Sequence, residues 1–235
     1  MKKRIVILTG AGVSKESGIP TFRDMTDGLW NSHKIEDVAS PMGFLRDPGL
    51  VLQFYNERRQ KLADVQPNQA HHDIVALEDY YDVQIVTQNI DDLHERAGST
   101  NVLHIHGELT KAKTNMSPDK IYDIGYNDIN LGDLGEDGYQ LRPDVVWFGE
   151  SVTKLPDTER IARSADIFMI VGTSLVVYPA AGLVLLAPKT APIYFIDPNK
   201  PSQMMYQDRV TFIQEPATTG VAKAVGELIK KALEN

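Results

Sequence analysis

The chain has 235 residues, of which 42% are hydrophobic and 24% are charged, proportions that are ordinary for a globular protein with a full hydrophobic core. Its formal net charge of −8 disfavours a general nucleic-acid-binding surface. The sequence contains no cysteine, which excludes disulfide bonds, a cysteine nucleophile and a zinc site built from thiolates.

The first element predicted along the chain is a buried strand over residues 5–8, an uninterrupted run of isoleucine, valine and leucine. Gly10 and Gly12 follow it directly, so the pattern predicts a strand, a tight turn and then a helix. Glycine at such a turn allows a phosphate to approach the backbone, and the helix N-terminus offers unpaired N–H groups. The next glycine, Gly18, comes too late for the usual dinucleotide fingerprint.

Further short apolar runs alternate with helical patterns along the rest of the chain. The predicted strands cover residues 83–86, 167–171 and 193–196, and the predicted helices cover residues 67–80, 158–164 and 217–233. This alternation predicts the α/β class, with a parallel sheet and helices on both of its faces. Because ligands of such sheets bind where the strands end, we expect the loops over 87–91, 172–174 and 197–199 to share one cleft.

The segments outside this alternation suggest one domain over residues 1–235 with two insertions. The sheet and its helices would use residues 1–29, 67–106 and 143–235, a helical insertion would cover 30–66, and a small module would cover 107–142. We use the name small module for residues 107–142, which are polar, rich in Gly, Asp and Asn and poor in helix signals. We expect the chain to return from this module to the sheet at Arg142 and Pro143.

Residues 167–187 carry no charge, a pattern that membrane spans share. Gly172 and Pro179 interrupt the run, so a buried strand, a loop and a buried helix explain it better. The first strand begins within five residues of Met1, which leaves no room for a signal peptide. We therefore expect a cytoplasmic protein without a membrane anchor.

Six motifs, taken in order along the chain, resemble those of the sirtuins, which are NAD-dependent protein-lysine deacylases. They are GAGVSKESGIPTFR at 10–23, GLW at 28–30, TQNIDDLH at 87–94, HG at 106–107, RPDVVWFGE at 142–150 and GTSL at 172–175. Each motif alone is unspecific, whereas the ordered set is specific and spans most of the chain. The resemblance implies a Rossmann-like α/β fold with a smaller inserted module, and NAD as a co-substrate.

The resemblance also implies that NAD binds where the predicted strands end. Small residues of the opening turn would hold the pyrophosphate, with Arg23 pairing to it and Phe22 shielding the nicotinamide–ribose bond from water. Asp91 would bind the nicotinamide carboxamide, and Asn89 with Gln88 the adjacent ribose. The full set implied for NAD is Gly10, Ala11, Gly12, Ser14, Phe22, Arg23, Trp30, Gln88, Asn89, Ile90, Asp91, Gly172, Thr173, Ser174, Asp197, Pro198, Asn199 and Ala217. A tight turn with a surface arginine, and helix capping by Asp91 or Asp92, stay open as structural alternatives.

The resemblance singles out His106 as the general base, with Asn89 as the second catalytic residue. An imidazole suits proton removal near neutral pH because its unperturbed pKa is about 6.5. A lone strand histidine is usually structural, and that alternative stays open. His104 lies two residues away on the same strand face, as in a metal-binding pair, but no third ligand with suitable spacing is near.

Residues 145–150 are predicted to form an extended apolar run, which the resemblance implies to be one wall of a peptide slot that pairs through its backbone with an acylated-lysine peptide. The residues implied there are Val146, Phe148, Gly149 and Glu150, and a core or edge strand is the alternative. Tyr55 and Arg58 share a predicted helix face, and a phenol with a guanidinium suits a carboxylate. This pair, with the small Ala39, resembles the sirtuins that remove malonyl and succinyl groups; the alternative is an exposed arginine beside a packed tyrosine.

Two departures from the family pattern concern the small module and the adenine side. Sirtuins usually hold a structural zinc with four cysteines in the matching segment, and this chain has no cysteine, so we expect no bound zinc. The residues expected to hold the module by packing instead are Ile121, Tyr122, Tyr126, Ile129 and Leu131. Asp197 stands where the family commonly has asparagine, and its carboxylate can still accept from ribose hydroxyls.

Together these patterns predict an NAD-dependent deacylase acting on acylated-lysine proteins or peptides, without direct nucleic-acid binding. The resemblance implies that the acyl oxygen attacks the ribose carbon bearing nicotinamide, and that the products are free lysine, nicotinamide and O-acyl-ADP-ribose. The expected acyl groups are succinyl and malonyl, and also acetyl. Two alternatives use the same cleft: an NAD-dependent ADP-ribosyltransferase or NAD hydrolase, and a non-catalytic NAD-binding sensor module.

Overall fold

The computed structural model describes residues 2–21, 34–175, 180–200 and 207–234. The strands, in chain order, are β1 (Arg4–Thr9), β2 (Asp82–Thr87), β3 (Val102–His104), β4 (Gly107–Lys113), β5 (Tyr122–Asp123), β6 (Arg142–Val145), β7 (Ile167–Val171), β8 (Ile193–Ile196) and β9 (Val210–Ile213). A six-stranded parallel sheet has the order β3-β2-β1-β7-β8-β9. The order changes direction between β1 and β7, where such sheets open a crevice at the carboxyl ends of the strands.

Helices cover both faces of this sheet. The α-helices are α1 (Ile35–Val38), α2 (Pro41–Arg46), α3 (Pro48–Asp64), α4 (Gln69–Ala76), α5 (Leu93–Ala97), α6 (Leu155–Arg163) and α7 (Ala217–Leu233). On one face, Ile7 of β1 and Ile74 of α4 belong to a buried apolar cluster that also includes α7. On the other face, Leu8 and Ala162 belong to a second cluster. The predicted α/β sheet with helices on both faces is therefore confirmed.

The segment after β1 differs from the prediction of a helix. Two 3₁₀ turns, Ala11–Val13 and Lys15–Ser17, follow the strand. Gly12 donates its N–H to the carbonyl of Gly172 at 2.8 Å, so the chain bonds to a neighbouring loop where an α-helical ladder would otherwise begin. The helix prediction at this turn is wrong for the described residues.

The other predicted strands and helices are present, some with the predicted ends and some with ends shifted by a few residues. The strands predicted at 167–171 and 193–196 match β7 and β8, and the helix predicted at 217–233 matches α7. The pattern at 67–80 becomes α4 followed by a 3₁₀ turn, Leu77–Asp79. The helix α6 begins at Leu155, three residues before its prediction.

Residues 34–66 are mostly helical, as predicted, and polar caps divide them into three helices. Ser40 accepts a hydrogen bond from the N–H of Gly43 at 2.9 Å, at the start of α2. Asp47 accepts from the N–H of Leu50 at 2.9 Å, at the start of α3. A side-chain oxygen at this position satisfies one of the N–H groups that the first helical turn leaves unpaired.

The small module is built on a second, antiparallel sheet in the order β5-β4-β6. β6 begins at Arg142 and pairs with β4, so that Gly107 lies opposite Val145. The expectation that the chain returns to the large sheet at Arg142 and Pro143 is therefore wrong, because both residues belong to the small sheet. Gly107 has a φ of +80°, and an added Cβ would lie 1.9 Å from the carbonyl oxygen of Asp144.

The apolar residues expected to hold the small module do so only in part. Ile129 is buried and Tyr122 packs at the edge of its cluster. Ile121, Tyr126 and Leu131 are exposed, so this part of the packing prediction is wrong. The cluster is completed by residues that the sequence analysis did not name, which are Leu52, Ala112, Phe44, Ile124 and Leu141.

A buried polar network joins the small module to α3. Arg59 is fully buried, and its Nε donates to the carbonyl of Leu109 on β4 at 2.7 Å. Its Nη1 donates to Oδ1 of Asn56 at 2.7 Å. Asn56 in turn donates to the carbonyl of Ile129 at 2.9 Å and accepts from the N–H of Ile129 at 3.0 Å. Burial lowers the pKa of Arg59 to about 10, so the guanidinium stays charged at neutral pH.

The described part of the uncharged stretch 167–187 contains β7, the loop residues 172–175 and a 3₁₀ segment, Ala180–Leu186. Within the ranges that the structure describes, none of the helices combines the length and the apolar character needed to cross a bilayer.

Replacing Asn56 with alanine tests the polar network. The change leaves Arg59 Nη1 and both backbone groups of Ile129 without their buried partner, which we expect to lower the free energy of unfolding by about 3 kcal/mol. Urea denaturation followed by circular dichroism measures this loss. The control is Gln60→Ala, which removes an exposed hydrogen bond to Asp128 and should cost less than about 0.5 kcal/mol. Equal losses for the two variants would contradict a structural role for the network.

Candidate active site

Two loops, the turn after β1 and the loop after β7, contact each other through glycines. The N–H of Gly12 lies 2.8 Å from the carbonyl oxygen of Gly172. A Cβ atom added at Gly12 would lie 2.6 Å from the Cα of Gly172. One added at Gly10 would lie 2.6 Å from the Cβ of Thr173. Glycine is needed here for the contact between the loops, a reason that the sequence analysis, which considered only phosphate approach, did not identify.

Asn89 and Asp91, which follow β2, meet at the hydroxyl of Ser14. Asn89 Nδ2 donates to Ser14 Oγ at 3.1 Å, and Ser14 Oγ donates to Asp91 Oδ2 at 2.9 Å. Asp91 Oδ1 accepts from the N–H of Leu93 at 3.2 Å, so this carboxylate also caps α5, as the alternative interpretation expected. Burial raises the pKa of Asp91, against the opposing effects of Ser14, Leu93 and His104.

Gln88 joins the loops of adjacent strands. Its N–H donates to the carbonyl of Thr9 at 2.9 Å, and its side-chain amide donates to Thr173 Oγ1 at 3.0 Å. Its carbonyl oxygen lies 2.9 Å from Nδ1 of His106. One hydrogen-bonded set therefore brings together Gly10, Ser14, Gln88, Asn89, Asp91, Thr173 and His106.

The remaining predicted cofactor residues near this set are partly buried. They are Ala11, Ile90, Gly172 and Ser174. The carbonyl of Ile90 accepts from the N–H of Leu109 at 2.8 Å, and its side chain packs against the apolar cluster around α3.

His106 is half-buried and has a defined tautomer. Because the carbonyl of Gln88 can only accept, Nδ1 carries the proton and Nε2 carries the lone pair. Burial lowers the pKa of His106, and the bond to Gln88 raises it by less. The imidazole is therefore neutral at neutral pH, with one nitrogen that can accept a proton.

His104 does not pair with His106 around a metal. It is 3% exposed, with Nδ1 at 2.9 Å from the carbonyl oxygen of Asn89 and Nε2 at 2.8 Å from Oε1 of Glu95. Both ring nitrogens are thus engaged by protein groups. Among the described residues, the acidic and histidine side chains form no group of three or more that would hold a metal ion.

The segment after β6 lies between His106 and Ala39. Val146 donates its N–H to the carbonyl of His106 at 2.9 Å, and Phe148 donates to the carbonyl of Ala39 at 3.0 Å. β6 ends at Val145, so only the first part of the predicted extended run is a strand. The side chain of Phe148 is 56% exposed, whereas Ala39 is buried.

Glu150 holds this segment in a turn. Its Oε2 accepts from the N–H of Trp147 at 2.9 Å, and its Oε1 accepts from Nη2 of Arg142 at 2.5 Å. Gly149 provides the φ of +93° that the turn requires. The guanidinium of Arg142 also lies 3.9 Å above the ring of Trp147. Arg142 belongs to the motif at 142–150, but its contact with Glu150 was not predicted, since an eight-residue separation outside a helix gives no signal of contact.

Tyr55 and Arg58 of α3 lie beside the same segment. Tyr55 is buried, and its hydroxyl accepts from Nε1 of Trp147 at 3.0 Å. Burial raises the pKa of Tyr55 to about 12. The guanidinium of Arg58 lies 3.2 Å from the ring centre of Phe54, and Nη1 donates to the Phe54 carbonyl at 2.9 Å. Burial lowers the pKa of Arg58 to about 10, which leaves the side chain charged at neutral pH.

The predicted adenine-side residues follow β8 and open α7. Asp197 is buried and its Oδ1 accepts from the N–H of Asn199 at 2.8 Å. Pro198 and Asn199 are exposed, and Ala217 is buried at the start of α7. Glu16, which the sequence analysis did not single out, ties α7 to the opening turn by accepting from the N–H of Thr218 at 2.9 Å.

Three residues that the resemblance assigned to NAD lie outside the described residues. They are Phe22, Arg23 and Trp30.

Comparison with known proteins identifies the family to which the chain belongs. The family model described as "Sir2 family" matches residues 10–179. The NAD-dependent protein deacylase of Helicobacter pylori is 49% identical over 230 residues, covering 98% of this chain and 99% of that protein. That of Aggregatibacter actinomycetemcomitans is 55% identical over 199 residues, covering 85% of this chain and 95% of that protein. A Sir2 homologue–NAD complex superposes with a TM-score of 0.86 at 38% identity, covering 98% of this chain and 91% of that one. The chain belongs to the Sir2 family.

Proposed function

We propose that this chain is an NAD-dependent protein-lysine deacylase. The observation that carries the proposal is the hydrogen-bonded set that joins His106, Asn89 and Asp91 to the loops after β1 and β7. Two relatives carry the name NAD-dependent protein deacylase, and a Sir2 homologue of similar structure binds NAD. The neutral imidazole of His106 supports catalysis rather than binding of NAD alone.

The polar groups along the strand-end loops suit NAD. The carboxyl group of Asp91 and the amides of Asn89 and Gln88 can bind a carboxamide and ribose hydroxyls. The turn at Gly10 and Gly12 and the loop at 172–174 would hold the phosphates through backbone N–H groups. Bound NAD supplies the ribose carbon that receives the acyl oxygen, with nicotinamide as the leaving group.

His106 acts as the general base in this proposal. Nε2 accepts the proton of a ribose hydroxyl, which makes that oxygen a better nucleophile. The bond from Nδ1 to the carbonyl of Gln88 holds the ring in the tautomer that this step needs. Asn89 orients the same ribose, since its side chain is fixed against Ser14 and the carbonyl of Gly10.

The acylated-lysine peptide would bind along residues 146–149. This segment is held from both sides by bonds to His106 and Ala39, so its remaining backbone groups and the exposed Phe148 can form one wall of a slot. Glu150 supports the wall through Arg142 and Trp147. Recognition through the backbone would make the preference for flanking sequence weak.

A preference for succinyl and malonyl groups is the finer part of the proposal. The charged Arg58 and the hydroxyl of Tyr55 lie on one face of α3, close enough for Arg58 to influence the pKa of Tyr55. Tyr55 accepts from Trp147, so its own O–H proton can be donated to a carboxylate. The small buried Ala39, bonded to the proposed slot, would leave space for the acyl chain.

Replacement of His106 with alanine tests the catalytic assignment. Loss of the general base should lower kcat on a succinyl-lysine peptide by at least about 100-fold, while NAD still binds. Mass spectrometry of the products separates deacylation, which gives O-acyl-ADP-ribose, from hydrolysis of NAD or transfer of ADP-ribose to protein. The control is the exposed His72→Ala, and unchanged turnover of the His106 variant would refute the assigned role.

The pH dependence gives an independent test of His106. A base must be unprotonated, and burial lowers the pKa of His106 below its ordinary value. We therefore expect kcat/KM to fall on the acidic side with an apparent pKa below about 6.5. The profile is measured with saturating NAD and a low peptide concentration. An apparent pKa of about 6.5 or higher for the acidic limb would contradict a neutral imidazole at this position.

Replacement of Arg58 with methionine tests the acyl preference. Loss of the guanidinium should lower kcat/KM for succinyl- and malonyl-lysine peptides by about tenfold or more and leave the acetyl-lysine peptide unaffected. Arg46→Met, which removes an exposed arginine of α2, is the matched control. An equal loss on all three peptides would mean that Arg58 supports the fold and does not read a carboxylate.

A further inference from the structure

The loop over residues 88–90 is anchored at three successive carbonyl groups. His106 Nδ1 bonds to the carbonyl of Gln88 at 2.9 Å, and His104 Nδ1 bonds to that of Asn89 at 2.9 Å. The N–H of Leu109 bonds to the carbonyl of Ile90 at 2.8 Å. The short stretch from His104 to Leu109 therefore holds the backbone of this loop in place at the cleft.

The contact of His104 differs from the other two because its ring is held at both ends. Nε2 lies 2.8 Å from Oε1 of Glu95, and Glu95 belongs to α5, the helix that begins directly after the loop. The ring is 3% exposed and the Glu95 side chain 40% exposed. The side chain of His104 thus connects three elements: β3, to which it belongs, the loop at Asn89 and the helix α5.

The two partners also define the charge of His104. The carbonyl of Asn89 and the carboxylate of Glu95 are both acceptors, so both ring nitrogens must carry protons. Burial, the largest effect, lowers the pKa of His104, but Glu95, Glu108 and the carbonyl of Asn89 offset it, and the pKa stands above its ordinary value. The other titratable groups facing this site are His94 and Asp91, on and just before α5.

We propose that His104 is a positioning residue for NAD, which sets the place of the Asn89 side chain by holding the Asn89 carbonyl through Nδ1. The inference rests on the proposed function. Among the described residues, Asn89 Nδ2 has two donor contacts, to Ser14 Oγ at 3.1 Å and to the carbonyl of Gly10 at 3.3 Å. These bonds are long, so a shift of the backbone at Asn89 would move the amide away from the ribose, and displacements near 1 Å cost up to about 100-fold in rate.

Two isosteric variants separate the contacts of His104. Asparagine places its amide nitrogen close to the position of Nδ1, so His104→Asn keeps the hydrogen bond to the carbonyl of Asn89 and loses the one to Glu95. Glutamine places its amide nitrogen close to the position of Nε2, so His104→Gln keeps the donor to Glu95 and loses Asn89. Both variants remove the charge and one buried hydrogen bond, so a purely structural role predicts equal effects of the two on activity and melting temperature.

The proposal predicts unequal effects. His104→Gln should weaken NAD binding, measured by calorimetry without peptide, and lower kcat/KM for NAD by about tenfold. His104→Asn should stay within about threefold of the original chain in both measurements, as should Glu95→Ala, which loses the same contact. Similar losses for His104→Asn and His104→Gln would overturn the proposal. An original chain that lacks deacylase activity would instead refute the proposed function, while the calorimetric comparison would still test the role of His104.

A measurement on the unaltered chain avoids the risk that a variant fails to fold. The ¹⁵N chemical shift of His104 Nδ1 at pH 7.5 should show a bound proton, since the contact with the carbonyl of Asn89 requires a donor. A ring whose Nδ1 carries no proton at this pH would overturn the proposal, because it could not donate to Asn89.

Discussion

The contact between Gly12 and Gly172 is the constraint on which the rest of the cleft depends. Thr9 is in register with Thr87 on one side and with Val171 on the other, so the three strands end at the same level. A buried bond between the hydroxyls of Thr9 and Thr87, 2.8 Å long, fixes that level. Without a Cβ at the glycines, the loops leaving the strands close on each other, and the side chains after β2 are directed towards the opening turn.

Burial determines the direction in which the pKa values of most titratable groups in the cleft shift, and a charged neighbour reverses that direction at one histidine. Burial lowers the pKa of His106 and raises that of Asp91, because a low-dielectric environment disfavours both charged forms. His104, two residues from His106, shifts in the opposite direction because Glu95 faces it. Two imidazoles on one short stretch therefore differ in their preferred charge: burial favours the neutral form of His106, and Glu95 favours the charged form of His104.

The sequence predicted the central sheet well and the small module poorly, for a physical reason. A strand buried on both faces is a continuous apolar run, so β7 and β8 were predicted to the residue. The network of Arg59 and Asn56 joins residues 50 to 73 positions apart, and no periodic pattern announces such contacts. Tyr126 and Leu131, which were expected to pack, are exposed.

The candidate site was likewise predictable from the sequence only in part. Strand order placed Asn89 and Asp91 in one predicted cleft, since strand ends of a parallel sheet lie at one edge, and the resemblance added His106. No pattern in the sequence indicates that Tyr55 bonds to Trp147, which lies 92 positions away, or that Glu150 holds a turn through Arg142. Resemblance supplied the roles of single residues, whereas the contacts that position them had to come from the folded structure.

Two buried arginines explain how a chain without cysteine keeps the small module in place. Arg59 ties β4 to α3, its partner Asn56 ties the loop at Ile129 to the same helix, and Arg142 ties the start of β6 to Glu150 and Trp147. Burying a guanidinium is costly unless its donors find partners. All three nitrogens of Arg142 are hydrogen-bonded, as are Nε and Nη1 of Arg59, whereas Arg59 Nη2 has no hydrogen-bond partner among the described residues. β6 runs from the module directly into the segment proposed to bind peptide, and therefore the order of the module and the shape of that segment are set by the same contacts.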